Sequence, residues 1–445
     1  MIHLRSLVGV EGRSEPTLKA STTSGGAERR SSDLRQWCRA YFFTAIPLVA
    51  VVTALMWPIV RVQYAIGEAS DFGPHIEVVE RFVAGTNRTL THPMFHWLVV
   101  AVAYVASPGD YRTAGLYCGM LLYQFQALVL LGYLTRPSAF PHGGVRRTDW
   151  IISSAGVLAI LLCNPISSFT WFEFDIHPHT IYRGYLTANV FHNPTMLALK
   201  PFALLTFWSA MHLLETDERG MRRLRQFVWL GVVCAISSLA KPNFVLCFVP
   251  ALTSWVLFQT LRLPDRRTLL RYWFTLGVVT CASVAALGLQ YVQYVQYETA
   301  NSSSIAFSPL KLVKDSWDAQ VLKLAASLAF PAAVVVLFLR KAADDTRLWI
   351  SWMMLVVGSV TAVSFVEQGP QMWARNFSWG PHVAMFIVFV ESFVFLRSVG
   401  RETMPLTPAR ESYLRRSGYC FALLACHVTS GLGIYMLFRN AGRAS

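Results

Sequence analysis

The apolar residues of this 445-residue chain fall in long blocks, without the alternating spacing of half-buried strands or the three-to-four spacing of surface helices. A bilayer core about 30 Å thick needs roughly 20 apolar residues per helix. Blocks near that length recur at 41–64, 113–135, 150–163, 195–214, 227–240, 244–261, 272–296, 321–339, 348–366, 381–396 and 418–438. The pattern predicts an all-α polytopic membrane protein with about 11 transmembrane helices. The gaps between blocks leave no room for a soluble domain.

Basic residues gather in those gaps, at Arg136/Arg146/Arg147, Arg219/Arg222/Arg223/Arg225, Arg262/Arg266/Arg267/Arg271, Arg340/Lys341/Arg347 and Arg397/Arg401/Arg410/Arg415/Arg416. If eleven blocks cross, every cluster lies on one side, which the positive-inside rule makes cytoplasmic. One further apolar run, 92–107, would reverse every later cluster if it also crossed. Its sixteen residues reach only about 24 Å as a helix, and it opens on His92, Pro93 and His96. It is expected to lie in the outer interface, within a long first external loop, 65–112.

Charge and cysteine content narrow the class further. A net charge of +14 would point a soluble protein toward nucleic acid; here it reads as topology, and no nucleic-acid partner is expected. Residues 1–40 hold seven Arg or Lys with several Ser and Gly and no signal-peptide run, and are expected to be a disordered basic cytoplasmic tail. Glu11, Glu15 and Asp33 argue against a mitochondrial transit peptide, so a bacterial inner membrane is the expected location, with the N-terminus cytoplasmic. Eight cysteines without a CxxC pair predict neither a disulfide framework nor a zinc site.

The polar chemistry is concentrated on the external side. Asp71 follows the first block by a few residues and precedes His75 across a Gly73-Pro74 turn. Its carboxylate either caps a short interfacial helix or serves as a general base that takes a proton from an acceptor hydroxyl. In the second external loop, His177-Pro178-His179 cannot set both rings on one helix face. With Glu173 and Asp175 the two histidines are either interfacial polar groups or ligands of a divalent metal. Asn193 is placed to cap the helix that Pro194 opens, with His192 at the membrane surface. Lys241, in the Lys-Pro-Asn link between two blocks, either snorkels to the interface or binds a phosphate, with Arg375 or Arg183 as a bidentate partner. His92, Glu173, Asp175, His177, His179, His192, Asn193 and Asn243 are the candidate substrate contacts.

Asp71 in Ser-Asp-Phe-Gly-Pro-His-Ile, the segment Thr91-His92-Pro93-Met94, the run from Asn189 to Thr195 and Lys200-Pro201-Phe202 together resemble the GT-C class of membrane glycosyltransferases. In that class an acidic residue of the first external loop is essential and interfacial helices follow it. The resemblance covers residues 41–262, read as a catalytic transmembrane module, and leaves 263–445 as variable C-terminal transmembrane helices. It implies a polyprenyl-phosphate sugar donor presented among membrane lipids at the outer leaflet, with a glycan, lipid or protein of the cell envelope as acceptor. It assigns catalysis to Asp71 with His75, and the donor phosphate to Lys241, Arg375 and Arg183. Members often carry a second acid in the first loop; here Glu77 and Glu80 are the nearest candidates. Metal use differs among these families, so a divalent metal stays open. Neither a P-loop nor a dinucleotide fingerprint occurs. A multispan transporter or lipid flippase is the alternative, for which repeats and midplane ionisable groups are expected. No repeat is evident, although Glu391 falls inside a block. A third reading is an assembly subunit that docks a partner through its external loops.

Overall fold

The computed structural model describes residues 24–65, 70–86, 90, 92–136, 147–166, 185–191, 193–217, 220–262, 265–297, 304–311, 317–368, 376–402 and 408–444. It divides into two units, 1–43 and 44–445. Helix α1 (Ser24–Ala65) begins inside the stretch expected to be a tail, where Ala27, Glu28, Arg29 and Arg30 all favour helix. The larger unit continues with α2 (Phe72–Val83), α3 (Pro93–Ala106), α4 (Tyr111–Leu134), α5 (Arg147–Leu162), α6 (Pro194–Glu215), α7 (Met221–Ala240), α8 (Asn243–Arg262) and α9 (Arg266–Tyr297). Then follow β1 (Ser304–Phe307), α10 (Trp317–Leu337), α11 (Leu339–Asp344), α12 (Thr346–Ser364), β2 (Phe365–Gln368), α13 (Trp379–Glu402) and α14 (Pro408–Ala444). The protein is an all-α polytopic membrane protein, relieved only by the antiparallel β1–β2 ribbon among the described residues.

Ten described helices are long and apolar enough to cross a membrane: α1, α4, α6 to α10 and α12 to α14. The eleventh expected span, α5, has only 16 residues. Its two ends nevertheless meet α13 fifteen residues apart. At one end Arg397 donates to Ser153 and lies 3.8 Å from Asp149. At the other, Thr187 bridges Asn164 and His382. Fifteen helical residues cover about 22 Å, so α5 runs most of the depth of the bundle. The 14-residue α3 is shorter still, in keeping with an interfacial position.

Counting α5 as a crossing, the chain alternates between two faces, and the contacts agree with that alternation. On one face, which carries the basic loops, Arg136 donates to the Tyr133 carbonyl, Arg271 to Thr216, Arg397 to Leu134 and Arg416 to Leu337. All four acceptors lie at or beside helix C-termini, whose last carbonyls lack intrahelical donors. Arg347 also sits there, with its fork on Glu215 at 2.6 and 2.5 Å and a third bond of 3.0 Å to the Tyr133 hydroxyl. That hydroxyl donates in turn to buried Glu391. This network ties α4, α6, α12 and α13 together at one end of the bundle.

The opposite face is tightened where α8, α12 and α13 converge. A Cβ on Gly358 would stand 2.8 Å from the Cys247 sulfur and 3.0 Å from the Pro381 nitrogen, and one on Gly380 would also meet that sulfur at 2.8 Å. Only glycine permits this approach, and it brings the start of α13 against the start of α8. The short helix α2 packs against α3 and α4 through Phe72, Ile76 and Val79, one apolar stripe at helical spacing. Glu77, Glu80 and Arg81 lie on its exposed side, with Glu77 and Arg81 paired at 3.2 Å.

Candidate functional site

Asp71 stands at the start of α2, where a carboxylate would ordinarily cap the first turn. It makes no capping bond; the Ser70 hydroxyl accepts from the Phe72 amide instead, at 3.3 Å. The half-buried Asp71 side chain turns away from its own helix and accepts a 2.7 Å hydrogen bond from the Asn193 amide nitrogen, 122 residues further along the chain. The capping alternative for Asp71 is thereby set aside, whereas the one for Asn193 is realised. Asn193 Oδ1 accepts from the Met196 backbone at 2.9 Å and closes the N-terminus of α6, as its position before Pro194 predicts.

The same oxygen accepts from the hydroxyl of Thr195 at 2.7 Å. Thr195 is fully buried, and its oxygen accepts in turn from the Lys241 ammonium at 3.1 Å. Lys241 is 3% exposed. It terminates α7 in extended backbone, so its side chain points inward among the helices, and its expected place at the rim is corrected to a buried one. A ring face, that of Trp379 at the start of α13, lies 4.7 Å from the ammonium. Burial pushes the Lys241 ammonium down to about 7, against the upward pull of Asp71 and Glu367.

Glu367, on β2, is a carboxylate that sequence reasoning passed over. It accepts from Asn376 at 2.8 Å, and Asn243 donates to the Asn376 carbonyl at 2.6 Å. Asn243 thus joins the site through Asn376. Burial raises the Glu367 carboxyl, opposed by the Asn376 bond and by the Lys241 charge. Glu367, Asn376 and Trp379 all come from the chain beyond residue 262.

A histidine group flanks these residues. His75 Nδ1 and His96 Nε2 are 3.0 Å apart, a hydrogen bond between α2 and α3. His75 and Asp71, paired by the sequence reading, therefore direct their side chains to different partners. His92 precedes α3 with φ 57° and ψ 61°, left-handed backbone that a β-carbon makes costly. Its ring reaches Gln290 of α9. Burial, reinforced by the nearby Lys241 charge, pushes His92 down to about 3; burial lowers His96 to about 4 and holds His75 well below the usual range. All three rings are neutral near pH 7. No cluster of three or more metal-ligating groups occurs among the described residues.

Arg183, Arg375, Glu173, Asp175, His177, His179 and His192 lie outside the described residues. Thr195, Trp379, His96 and Glu367 are the additions. For Glu367 a signal was present: an acid just after the block 348–366, as Asp71 shortly follows the block 41–64.

No protein-family model and no curated protein matches the chain. Two solved structures resemble it at low identity, both of ArnT from Cupriavidus metallidurans. The form bound to undecaprenyl phosphate is 13% identical, with 89% of this chain and 76% of that chain covered and a TM-score of 0.40. The apo form is 14% identical over the same shares, with a TM-score of 0.42. At these values the likeness fixes neither a family nor an activity.

Proposed function

We propose that the protein is a membrane glycosyltransferase of the GT-C class that transfers a sugar from a polyprenyl-phosphate donor to an acceptor hydroxyl on the extracytoplasmic face. The observation that carries this reading is the buried Lys241 ammonium. Among the described residues its hydrogen-bond partner is a neutral hydroxyl, which leaves donors for an anion. A cation buried without an ionic contact of its own is costly, and a lipid phosphate at the membrane edge would offset that cost.

In the reaction, the acceptor oxygen attacks the anomeric carbon while the bond from that carbon to the phosphate oxygen breaks. The electron pair leaves with the polyprenyl phosphate, whose charge Lys241 meets, and the acceptor proton passes to Asp71. The prenyl tail needs no polar pocket, because it stays among the lipid chains beside the bundle. With the basic loops cytoplasmic, as the positive-inside rule has it, the site opens on the other side of a bacterial inner membrane.

Transport has one observation of its own, the buried Glu391 and Arg347 inside the bundle. Those groups are joined through Tyr133, and Arg347 is neutralised by Glu215, which fits a structural staple better than an ion path. Purified protein in nanodiscs, incubated with a panel of radiolabelled polyprenyl-phosphate sugars, tests the reading. Saturable binding and turnover of one donor, lost in Asp71→Asn, is expected. Turnover by Asp71→Asn equal to wild type would remove the assigned base, and no interaction with any donor would move the weight to transport.

A further inference from the structure

Four side chains from three places in the sequence form one line of hydrogen bonds, and the direction of every bond is fixed by chemistry. A charged Lys241 can only donate, so the Thr195 oxygen is the acceptor. The single hydroxyl proton of Thr195 then goes to Asn193 Oδ1. That oxygen is identified independently, because the Met196 backbone N–H can only donate to it. The Asn193 amide group must therefore face Asp71 with its hydrogens, and Asp71 Oδ2 ends the line as acceptor. The line starts on a cation and ends on a carboxylate, and each bond polarises the next.

We propose that Thr195 is a positioning residue that joins Lys241 to Asp71, so that cation and carboxylate act as one unit; this rests on the function proposed above. Thr195 touches neither donor nor acceptor. It holds the ammonium in place at one end of α7 and, through Asn193, keeps the Asp71 carboxylate ionised and turned out of its own helix. Among the described residues, the other titratable groups about these two are Glu367 on β2, His75 on α2, His92 just before α3 and His96 on α3. None of them lies on the line, so a change at Thr195 alters the Lys241–Asp71 connection and leaves these groups in place.

The test compares Thr195→Val, which keeps the shape and removes the hydroxyl, with Thr195→Ser, which keeps the hydroxyl. Without the hydroxyl the carboxylate loses support and titrates at higher pH, while the ammonium loses an acceptor and deprotonates at lower pH. The pH profile of sugar transfer is expected to narrow from both sides in Thr195→Val and to keep its wild-type width in Thr195→Ser. A second measurement does not need turnover: infrared titration of the Asp71 carboxyl in nanodiscs, its band identified by difference from Asp71→Asn. Thr195→Val is expected to raise that midpoint by about one pH unit, and to have no such effect in a Lys241→Met background, where the line has lost its charged end. If Thr195→Val does not fold, Thr195→Cys, a weak hydrogen-bonding replacement, is expected to move the midpoint in the same direction. An unmoved Asp71 midpoint in both variants, or a Thr195→Ser midpoint displaced as far as that of Thr195→Val, overturns the proposal. A wild type that turns over no donor but whose Asp71 midpoint responds as described would sink the assigned reaction and leave the coupling standing.

Discussion

Replacing Lys241 by Met is expected to stabilise the ligand-free protein while weakening donor binding. The side chain is buried, and its ammonium is pushed from 10.5 down to about 7. At about 1.36 kcal/mol per pH unit, that displacement corresponds to an upper limit near 5 kcal/mol for keeping the charge inside the folded protein. The sign follows from the direction. A lysine lowered on folding is protonated in both states below pH 7, so the full cost applies there. Between pH 7 and 10.5 the unfolded chain holds the extra proton, and stability rises with pH. At pH 9 the cost has fallen to about 2 kcal/mol. Met matches the length of the lysine stem and carries no charge, so Lys241→Met removes the cost at every pH. Thermal unfolding in nanodiscs at pH 6 and pH 9 measures it: the variant should melt above wild type at pH 6, by a margin that falls to less than half at pH 9. Addition of a polyprenyl phosphate should stabilise wild type more than the variant, and the lost charge-assisted bond should weaken binding by roughly 10- to 150-fold. A variant that melts below wild type at pH 6 would refute the reasoning, because it would mean that the ammonium is already fully compensated in the ligand-free site.

The histidines impose a dependence of the same sign at lower pH. His75, His92 and His96 are lowered on folding, so their contribution is intact above the unfolded value of 6.5 and is lost as the pH falls toward about 4 for His96 and about 3 for His92. Stability should therefore drop from pH 6.5 to 4.5, by up to about 1.4 kcal/mol per pH unit for each ring, seen as a falling melting temperature, and His96→Gln should flatten that slope. On the basic face, Arg347→Met should destabilise by roughly 3 kcal/mol, the low end for breaking a buried ion pair, because Glu215 keeps access to water. Chemical denaturation should show that loss with donor binding at the far face unchanged.

The helices were readable because a bilayer imposes their length and because the arginines between them carry topology. Asp71, Asn193 and Lys241 were readable for a related reason: each stands next to an apolar block, where a polar side chain has few alternatives to the membrane edge. What joins them was not readable. The Thr195 bond to Asn193 is local and could have been expected from Asn-Pro-Thr, but its bond to Lys241 spans 46 residues and depends on how α6 packs on α7. The ring of Trp379 over Lys241 depends on glycines at 358 and 380 letting three helices converge. Apolar blocks record depth in the membrane and say little about which helix neighbours which. The pairing of Asp71 with His75 failed on the same ground, since a neighbour in sequence lost to one on α3.

The alternation of the chain has an electrostatic consequence at the candidate site. The helices that contribute Asn193 and Thr195, Asn243 and Trp379, namely α6, α8 and α13, all begin at this face, as do the short helices behind Asp71 and His92. Each start carries the positive end of a helix dipole, equivalent to about half an elementary charge. The arginines of the opposite face meet the complementary negative ends. Because α7 and α12 end at this face and set negative ends beside these starts, the effect is local: a phosphate seated at the starts of α6, α8 and α13 meets an attraction that no side-chain substitution removes. Lys241→Met should accordingly retain a weak, salt-sensitive affinity for anionic lipid.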